Sequence, residues 1–167
     1  MKKILIVNNN MDMGGIQKSL INLLLAIHNK YDITLLLFSK SGALLKDVPK
    51  NVNIISPCKC YRLLGLTREE LKAYPFLFLL KVILLKYASA ISRRSAMKLL
   101  GFFQKRIRGY DAVISYSHLP AHKYLGSGCG DFVLDKTVSD NKICLIHSCQ
   151  QQTYLHSYTS LNQTYLP

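Results

Sequence analysis

The chain has 167 residues, of which 22 are Lys or Arg and nine are Asp or Glu, so its formal net charge is +13. Apolar residues make up 49% of the chain and charged residues only 19%, which excludes an intrinsically disordered protein. This length predicts a single domain over residues 1–167, large enough to bury a core.

The N-terminal third alternates between strand and helix patterns. Residues 3–7 are apolar on both faces, as in a buried parallel strand, and residues 32–38 repeat that pattern. Between them, residues 16–28 place apolar side chains at helical spacing. Residues 52–55 predict a third, short strand.

The middle of the chain predicts a basic helical segment over residues 67–108. Thr67 is followed by Glu70 at the spacing of a capping box, which predicts a helix start. Pro75 predicts a break in that helix, because proline has no N–H to donate and clashes with the preceding turn. A second helix is predicted over residues 92–108.

The last third of the sequence returns to the strand pattern. Residues 112–115 and 143–146 predict a fourth and a fifth strand. Gly126, Gly128 and Gly130 predict a loop between these strands. Strands that alternate with helices predict an α/β domain with a mostly parallel sheet.

Three segments are candidates for a ligand site, because ligands of open α/β sheets bind beyond the carboxyl ends of the strands. They are the loop over residues 8–15, the turn after Ser115 and the turn that starts at His147. His147 ends an apolar strand, and an imidazole there can donate a hydrogen bond to a sugar hydroxyl or a phosphate. The alternative is a strand-end histidine bonded to nearby backbone.

The first of these segments places Gly14 and Gly15 between a strand and a helix. A helix N-terminus offers free backbone N–H groups and a partial positive charge, which suit a phosphate. Lys18 and Ser19 do not complete a P-loop, because Gln17 stands where that motif has glycine, and the dinucleotide fingerprint is also missing. A tight turn that binds no ligand is the alternative.

Metal and thiol chemistry receive no support from residue spacing. Cys58 and Cys60 form a C-x-C pair, but no arrangement of Cys and His fits a closed tetrahedral metal site. An odd count of five cysteines, without a signal peptide, predicts reduced thiols. We therefore expect no metal and no covalently bound cofactor.

Positive charge is concentrated in residues 61–110, which hold 11 Lys and Arg and two Asp and Glu, a net +9. On the predicted helix 92–108, basic residues fall on one face and apolar residues on the other. Such a helix suits an anionic membrane surface. The residues expected to contact that surface are Arg93, Arg94, Lys98, Lys105 and Arg108. The apolar face comprises Ala96, Leu99, Leu100, Phe103 and Ile107. A core-packed helix with a solvated face is the alternative, and nucleic acid is not expected because no recognised motif occurs.

No stretch of the sequence has the ~18 apolar residues of a membrane span, because Lys81 and Lys86 interrupt the richest run. The N-terminus also lacks the apolar core of a signal peptide. These patterns predict a cytoplasmic protein, peripheral on the inner face of the cell membrane.

Four segments together resemble the glycosyltransferases of family 4. They are the opening M-K-K-I-L-I-V-N-N-N-M-D-M-G-G-I-Q-K-S-L-I-N-L-L and the later stretches Y-D-I-T-L-L-L-F, Y-D-A-V-I-S-Y-S and K-I-C-L-I-H-S. The resemblance covers residues 1–60 and 110–150. It implies the N-terminal half of a GT-B fold, which is a Rossmann-like, doubly wound sheet with helices on both faces and strand order 3-2-1-4-5.

The resemblance also implies an activity, the transfer of a hexose from a nucleotide sugar to a glycan or lipid-linked acceptor in surface polysaccharide synthesis. Transfer would proceed with retention and without a metal. His147 would face the transferred sugar as the catalytic residue. The expected substrate-binding residues are Asn10, Met13, Gly14, Gly15, Ile16, Gln17, Ser117 and Ser148.

In this family a C-terminal domain holds most of the donor site, and the 167 residues do not contain it. We therefore expect that domain as a partner, and no transferase activity from this chain alone. Two other readings remain open. One is a non-catalytic module that binds a membrane or a sugar, and the other is a basic adaptor for nucleic acid or protein.

Overall fold

The computed structural model describes residues 1–90, 92–118 and 128–146. Five strands form one parallel sheet in the order β3-β2-β1-β4-β5, which confirms the predicted order. The strands are β1 (Lys3–Asn8), β2 (Asp32–Leu37), β3 (Asn53–Ile55), β4 (Ala112–His118) and β5 (Asn141–Ile146). The helices are α1 (Gly15–Ile27), α2 (Arg62–Gly65), α3 (Arg68–Ala73), α4 (Pro75–Ala90), α5 (Arg93–Leu100) and α6 (Cys129–Lys136). Two 3₁₀ turns cover Ala43–Asp47 and Lys59–Tyr61.

Helices cover both faces of the sheet, so the domain is α/β and Rossmann-like. Successive side chains of a strand point to opposite faces, and the central strand β1 is apolar on both. Leu5 and Val7 pack with residues of α2, α4, α5 and α6 on one face. Ile6 packs with α1 and the 3₁₀ turn at Ala43–Asp47 on the other. The domain therefore has two cores separated by the sheet.

The capping box predicted at Thr67 is present at the start of α3. The Thr67 side chain accepts a hydrogen bond from the Glu70 amide, and the Glu70 carboxylate accepts one from the Thr67 amide at 2.9 Å. The break predicted at Pro75 is also present, because α3 ends at Ala73 and α4 begins at Pro75. Both local predictions from this region are confirmed.

The helix predicted over residues 92–108 is too long, because α5 ends at Leu100. Gly101 follows, where a Cβ would lie 2.6 Å from the Tyr61 hydroxyl. The chain then leaves the helix and pairs Ile107 with Thr137, and the Ile107 amide donates to the Lys136 carbonyl at 2.8 Å. Bridge hydrogen bonds thus replace those of a continued helix.

The basic face predicted for helix 92–108 is therefore wrong, because α5 is shorter than that helix. Lys105 and Arg108 lie beyond α5 and do not share a helix face with Lys98. The predicted apolar face is also wrong in part, because Leu99 and Phe103 are exposed whereas Met97 is buried. All three of Lys98, Lys105 and Arg108 are exposed.

The loop predicted from three glycines is also wrong in part, because α6 begins at Cys129. Gly128 precedes this helix with φ at +68°, a conformation that favours glycine, and Gly130 lies within it. Gly126 lies outside the described residues. Strand β4 also runs three residues past the predicted end, to His118, so the expected turn after Ser115 is strand.

Glu70 supports a prediction about the pH dependence of stability. Burial raises the pKa of this carboxyl, but hydrogen bonds from the Thr67 amide, Arg62, Ser41 and the Thr67 hydroxyl outweigh burial, and the pKa lies below its usual value. We expect Glu70→Gln to lower the free energy of unfolding by about 1 kcal/mol at neutral pH. Because the folded pKa is lowered, this contribution is present above the unfolded pKa of about 4.3 and is lost as pH falls through the folded pKa.

Urea denaturation of the wild type and the variant, at neutral pH and near pH 3, measures this effect. The difference between the two proteins should close at the acidic pH. Glu69→Gln, an exposed carboxyl on the same turn, is the control and should change stability little at either pH. An equal loss for Glu70→Gln at both pH values would contradict the role assigned to the charge.

Candidate functional site

The candidate site lies at the carboxyl edge of the sheet, between β1 and β4. From β1 the strand order runs one way to β2 and β3, and the other way to β4 and β5. The order therefore reverses between β1 and β4, and ligands of open α/β sheets bind at such a reversal. The loop after β1 belongs to the described residues, whereas residues 119–127, after β4, do not.

The first part of the loop after β1 is held in place by the chain after β2. The Met11 amide donates to the Ser41 carbonyl at 2.9 Å, and the Leu44 amide donates to the Met11 carbonyl at 2.9 Å. The Ser39 amide donates to the Asn9 carbonyl, also at 2.9 Å. These backbone hydrogen bonds join two neighbouring loops at the carboxyl edge of the sheet. Residues 9–11 are therefore held in one position beside α1, and we call them the rigid floor of the candidate site.

Asn10, a predicted substrate-binding residue, takes part in this floor. Its side-chain nitrogen, Nδ2, donates to the Gly65 carbonyl at 2.8 Å, and its side-chain oxygen, Oδ1, accepts from the Asp12 backbone amide at 3.2 Å. The Asn10 side chain therefore links the loop to α2, a structural role that the sequence analysis did not find.

Two glycines allow the loops to approach each other this closely. Gly42 has φ at +114°, and a Cβ there would overlap the Met11 carbonyl group. A Cβ at Gly65 would lie 2.7 Å from both the Asn9 carbonyl oxygen and the Ser39 amide nitrogen. Neither residue was predicted from the sequence. The only signal for them was a glycine placed soon after an apolar strand or before a helix.

The N-terminal turn of α1 is open at Gly15. Gly14 precedes the helix in an extended conformation without a side-chain cap, and the first turn carries no acidic residue. A Cβ at Gly15 would meet no atom of the described residues within 4 Å, and Met13 is exposed. Free amides and the helix dipole in open space can bind an anionic group, so this turn is the accessible part of the candidate site.

The other predicted residues of this turn have distinct positions. The Gln17 side chain lies over Gly14, where a Cβ would sit 2.5 Å from Gln17 Oε1. Ile16 is partly buried against the core on the α1 side. Ser19 Oγ and Tyr116 Oη are 2.8 Å apart, which ties α1 to β4 across the reversal. The structure thus brings the predicted residues at positions 13–17 together beside β4.

Among the described residues, two buried side-chain oxygens near the strand ends have no hydrogen-bond partner, Asn8 Oδ1 and Ser115 Oγ. Val7 pairs with Ser115 in the sheet register, so Ser115 faces the side of Val7 whereas Asn8 faces the opposite side. The other polar atom of the Asn8 side chain, Nδ2, does have a partner, because it donates to the Asn10 carbonyl at 2.9 Å. The two unpartnered atoms therefore do not belong to one site. Ser117, a predicted substrate-binding residue, is buried within β4.

The thiols of the described chain have mainly structural surroundings. Burial raises the pKa of Cys58, whose amide donates to Gln104 Oε1 at 2.7 Å and whose sulfur lies 3.6 Å from the Leu100 carbonyl oxygen. The buried Cys129 donates to Asn9 Oδ1 at 2.9 Å. Cys58 and Cys60 are free thiols. A raised pKa keeps Cys58 in its thiol form, which is the weaker nucleophile.

Within residues 1–90, 92–118 and 128–146, no group of three or more His, Cys, Asp or Glu is placed to hold a metal ion. In the same ranges no helix has the length and apolar character needed to cross a bilayer. His147, the expected catalytic residue, and Ser148 lie outside the described residues, as does Cys149. The side chains of Arg93 and Arg94 are likewise not described.

No family model, no curated protein and no solved structure matches this chain.

Proposed function

We propose that this chain is the acceptor-side, N-terminal domain of a glycosyltransferase of the family 4 type. It would transfer a hexose from a nucleotide sugar to a glycan or lipid-linked acceptor, together with a second α/β domain that completes the donor site. The proposal rests on the resemblance of four sequence segments. The strand order and the two-sided helical covering agree with the fold which that resemblance implies.

One observation carries the site within this proposal, the open first turn of α1 beside the reversal of strand order. In the part of the chain that the structure describes, no atom lies within 4 Å of a Cβ at Gly15, although residues 9–11 just before it are fixed by backbone hydrogen bonds. A loop fixed in this way, beside a helix N-terminus that is open at Gly15, suits the diphosphate of a nucleotide sugar. Lys18 is exposed one turn further on. His147 would then face the transferred sugar from the end of β5, and no metal would be required.

Chemical-shift titration of the ¹⁵N-labelled chain with UDP-glucose tests the site. We expect the amide resonances of Gly14, Gly15 and Ile16 to move with UDP-glucose and to stay fixed with uridine, which lacks the diphosphate. Gly15→Val should weaken this binding at least about tenfold, because its methyl groups would occupy the space that a phosphate needs above the amides. The fold should persist, since position 15 has no neighbour within 4 Å of the new Cβ.

Ala26→Val is the matched control for this experiment. Position 26 is exposed on the same helix, about 16 Å along its axis from position 15. The control adds the same side chain and should leave the UDP-glucose shifts intact. Equal shifts in Gly15→Val, or shifts in the wild-type chain that spare residues 14–16, would refute the phosphate-binding role of this turn.

A further inference from the structure

Helix α4 exposes an apolar stripe to solvent. Phe76, Leu79 and Ile83 are 68%, 53% and 53% exposed, whereas Leu84 is buried in the core. At 100° per residue the three exposed positions fall within about 60° of arc, and Tyr87 widens this to about 80°. A contiguous apolar stripe on a helix is unlike the scattered apolar residues of an ordinary protein surface and marks a binding surface.

A second apolar point lies at the end of α5, the helix that packs against α4. Phe102 and Phe103 are 76% and 78% exposed, and their rings pack edge to face with centroids 5.1 Å apart. Leu99, on the last turn of α5, is exposed beside them in the sequence. Helices α4 and α5 together with residues 101–105, which we call the α4–α5 hairpin, therefore carry apolar residues at two places.

The positive charge of the α4–α5 hairpin indicates which kind of partner its apolar residues bind. Residues 71–110 contain nine Lys and Arg and no Asp or Glu. Lys86 is exposed on α4, and Lys98 and Lys105 are exposed on either side of the aromatic pair in the sequence. A second copy of this chain would bring two such segments together without a carboxylate between them, so charge opposes a dimer through the hairpin. A nucleic acid would attract the cations but would leave the aliphatic stripe of α4 uncovered.

An anionic lipid surface satisfies both the charge and the apolar stripe. We propose that the α4–α5 hairpin binds an anionic phospholipid membrane, with the stripe of α4 inserted among the acyl chains and the cations against the headgroup phosphates. Helix α4 has 16 residues and is about 24 Å long, shorter than the ~30 Å hydrocarbon core, so it lies in the plane of the interface. The binding element is thus the apolar helix α4, not the basic helix that the sequence predicted.

Sedimentation with phospholipid vesicles tests this proposal. We expect the chain to bind vesicles that contain phosphatidylglycerol, and to bind pure phosphatidylcholine vesicles weakly. Leu79→Ser should lower the affinity about tenfold, because burial of a Leu side chain is lost. Leu25→Ser is a closely matched control, since Leu25 is exposed to a similar extent on α1, outside the hairpin. It should bind as the wild type does.

A second pair of variants tests the charges. Lys98→Glu should weaken binding to anionic vesicles more than Lys30→Glu, which changes an exposed lysine remote in sequence from the hairpin. Thermal unfolding by circular dichroism verifies that each variant is folded. Equal binding of Leu79→Ser and Leu25→Ser, no preference for phosphatidylglycerol, or a lipid-free dimer that Leu79→Ser dissociates would overturn the proposal.

Membrane binding by the hairpin does not depend on the proposed transferase activity. The titration with UDP-glucose detects the first turn of α1, whereas vesicle sedimentation detects α4 and α5. Failure of one experiment leaves the other result interpretable.

Discussion

Gly42→Ala should destabilise the domain by about 3 kcal/mol or more. The backbone of Gly42 has φ at +114°, where an L side chain is strained, and its Cβ would overlap the Met11 carbonyl group. Relief of the overlap would separate two loops that the hydrogen bonds between Met11 and both Ser41 and Leu44 hold together. Strain and lost hydrogen bonds therefore act in the same direction, and urea denaturation at neutral pH measures their sum.

Gly109→Ala separates the two causes. Gly109 also has a positive φ, +88°, but a Cβ there would meet no atom within 4 Å. It should therefore cost about 1 kcal/mol, from backbone strain alone. A Gly42→Ala variant no less stable than Gly109→Ala would show that the two loops can separate without cost, and that residues 9–11 are not the rigid floor described above.

The difference between these glycines explains why the sequence predicts some features and not others. The apolar runs at residues 3–7 and 32–38 predict buried parallel strands because the periodicity of a strand is local. The capping box at Thr67 and the break at Pro75 are local for the same reason. The close contact at Gly42 depends on Met11, 31 positions away in the chain, and no local pattern marks it.

The errors in the helical predictions have the same origin. The pattern of residues 92–108 favours one helix, but pairing of Ile107 with Thr137 draws the chain away after Leu100. Three closely spaced glycines favour a loop, yet Gly130 lies inside α6, where it packs in the core. In both cases a tertiary contact overrides the local preference.

The candidate site divides in a similar way. A glycine pair between a strand and a helix is a local signal, and α1 begins at Gly15 as that signal indicates, whereas the ligand-binding role of this turn stays a prediction. The use of Asn10 to hold Gly65 could not be predicted, because it requires knowledge of the fold. The exposed face of α4 could not be predicted from the sequence either. An apolar sequence predicts burial and does not indicate that a helix is covered on only one side.

Tyr61→Ala should have the largest effect on stability, about 4 kcal/mol. Tyr61 is 1% exposed and lies in the core between the sheet and the helices on the α6 side. Its ring centroid is 5.2 Å from that of Phe38 and 5.0 Å from that of Phe132. Truncation would leave a cavity bounded by a strand end, a 3₁₀ turn and α6, three elements that cannot collapse together without moving the sheet edge.

Tyr61→Phe is the comparison that separates the ring from the hydroxyl. It keeps the aromatic contacts and should cost no more than about 1.5 kcal/mol at neutral pH. Burial raises the pKa of the Tyr61 hydroxyl, with smaller contributions from Cys58 and the Asp135 carboxylate. Since the folded pKa is raised, the neutral hydroxyl contributes stability below the unfolded pKa of about 10, and this contribution is lost as pH rises towards the folded pKa.

Urea denaturation of the three proteins at neutral pH and above about pH 10 therefore gives two independent results. Tyr61→Ala should be far less stable than Tyr61→Phe at neutral pH, because the cavity dominates. The wild type should lose stability relative to Tyr61→Phe at the alkaline pH, because only the wild type must keep the buried Tyr61 phenol protonated. If Tyr61→Ala and Tyr61→Phe were equally stable at neutral pH, the contacts with Phe38 and Phe132 would not hold the two sides of this core together, and α6 would need another anchor on the sheet.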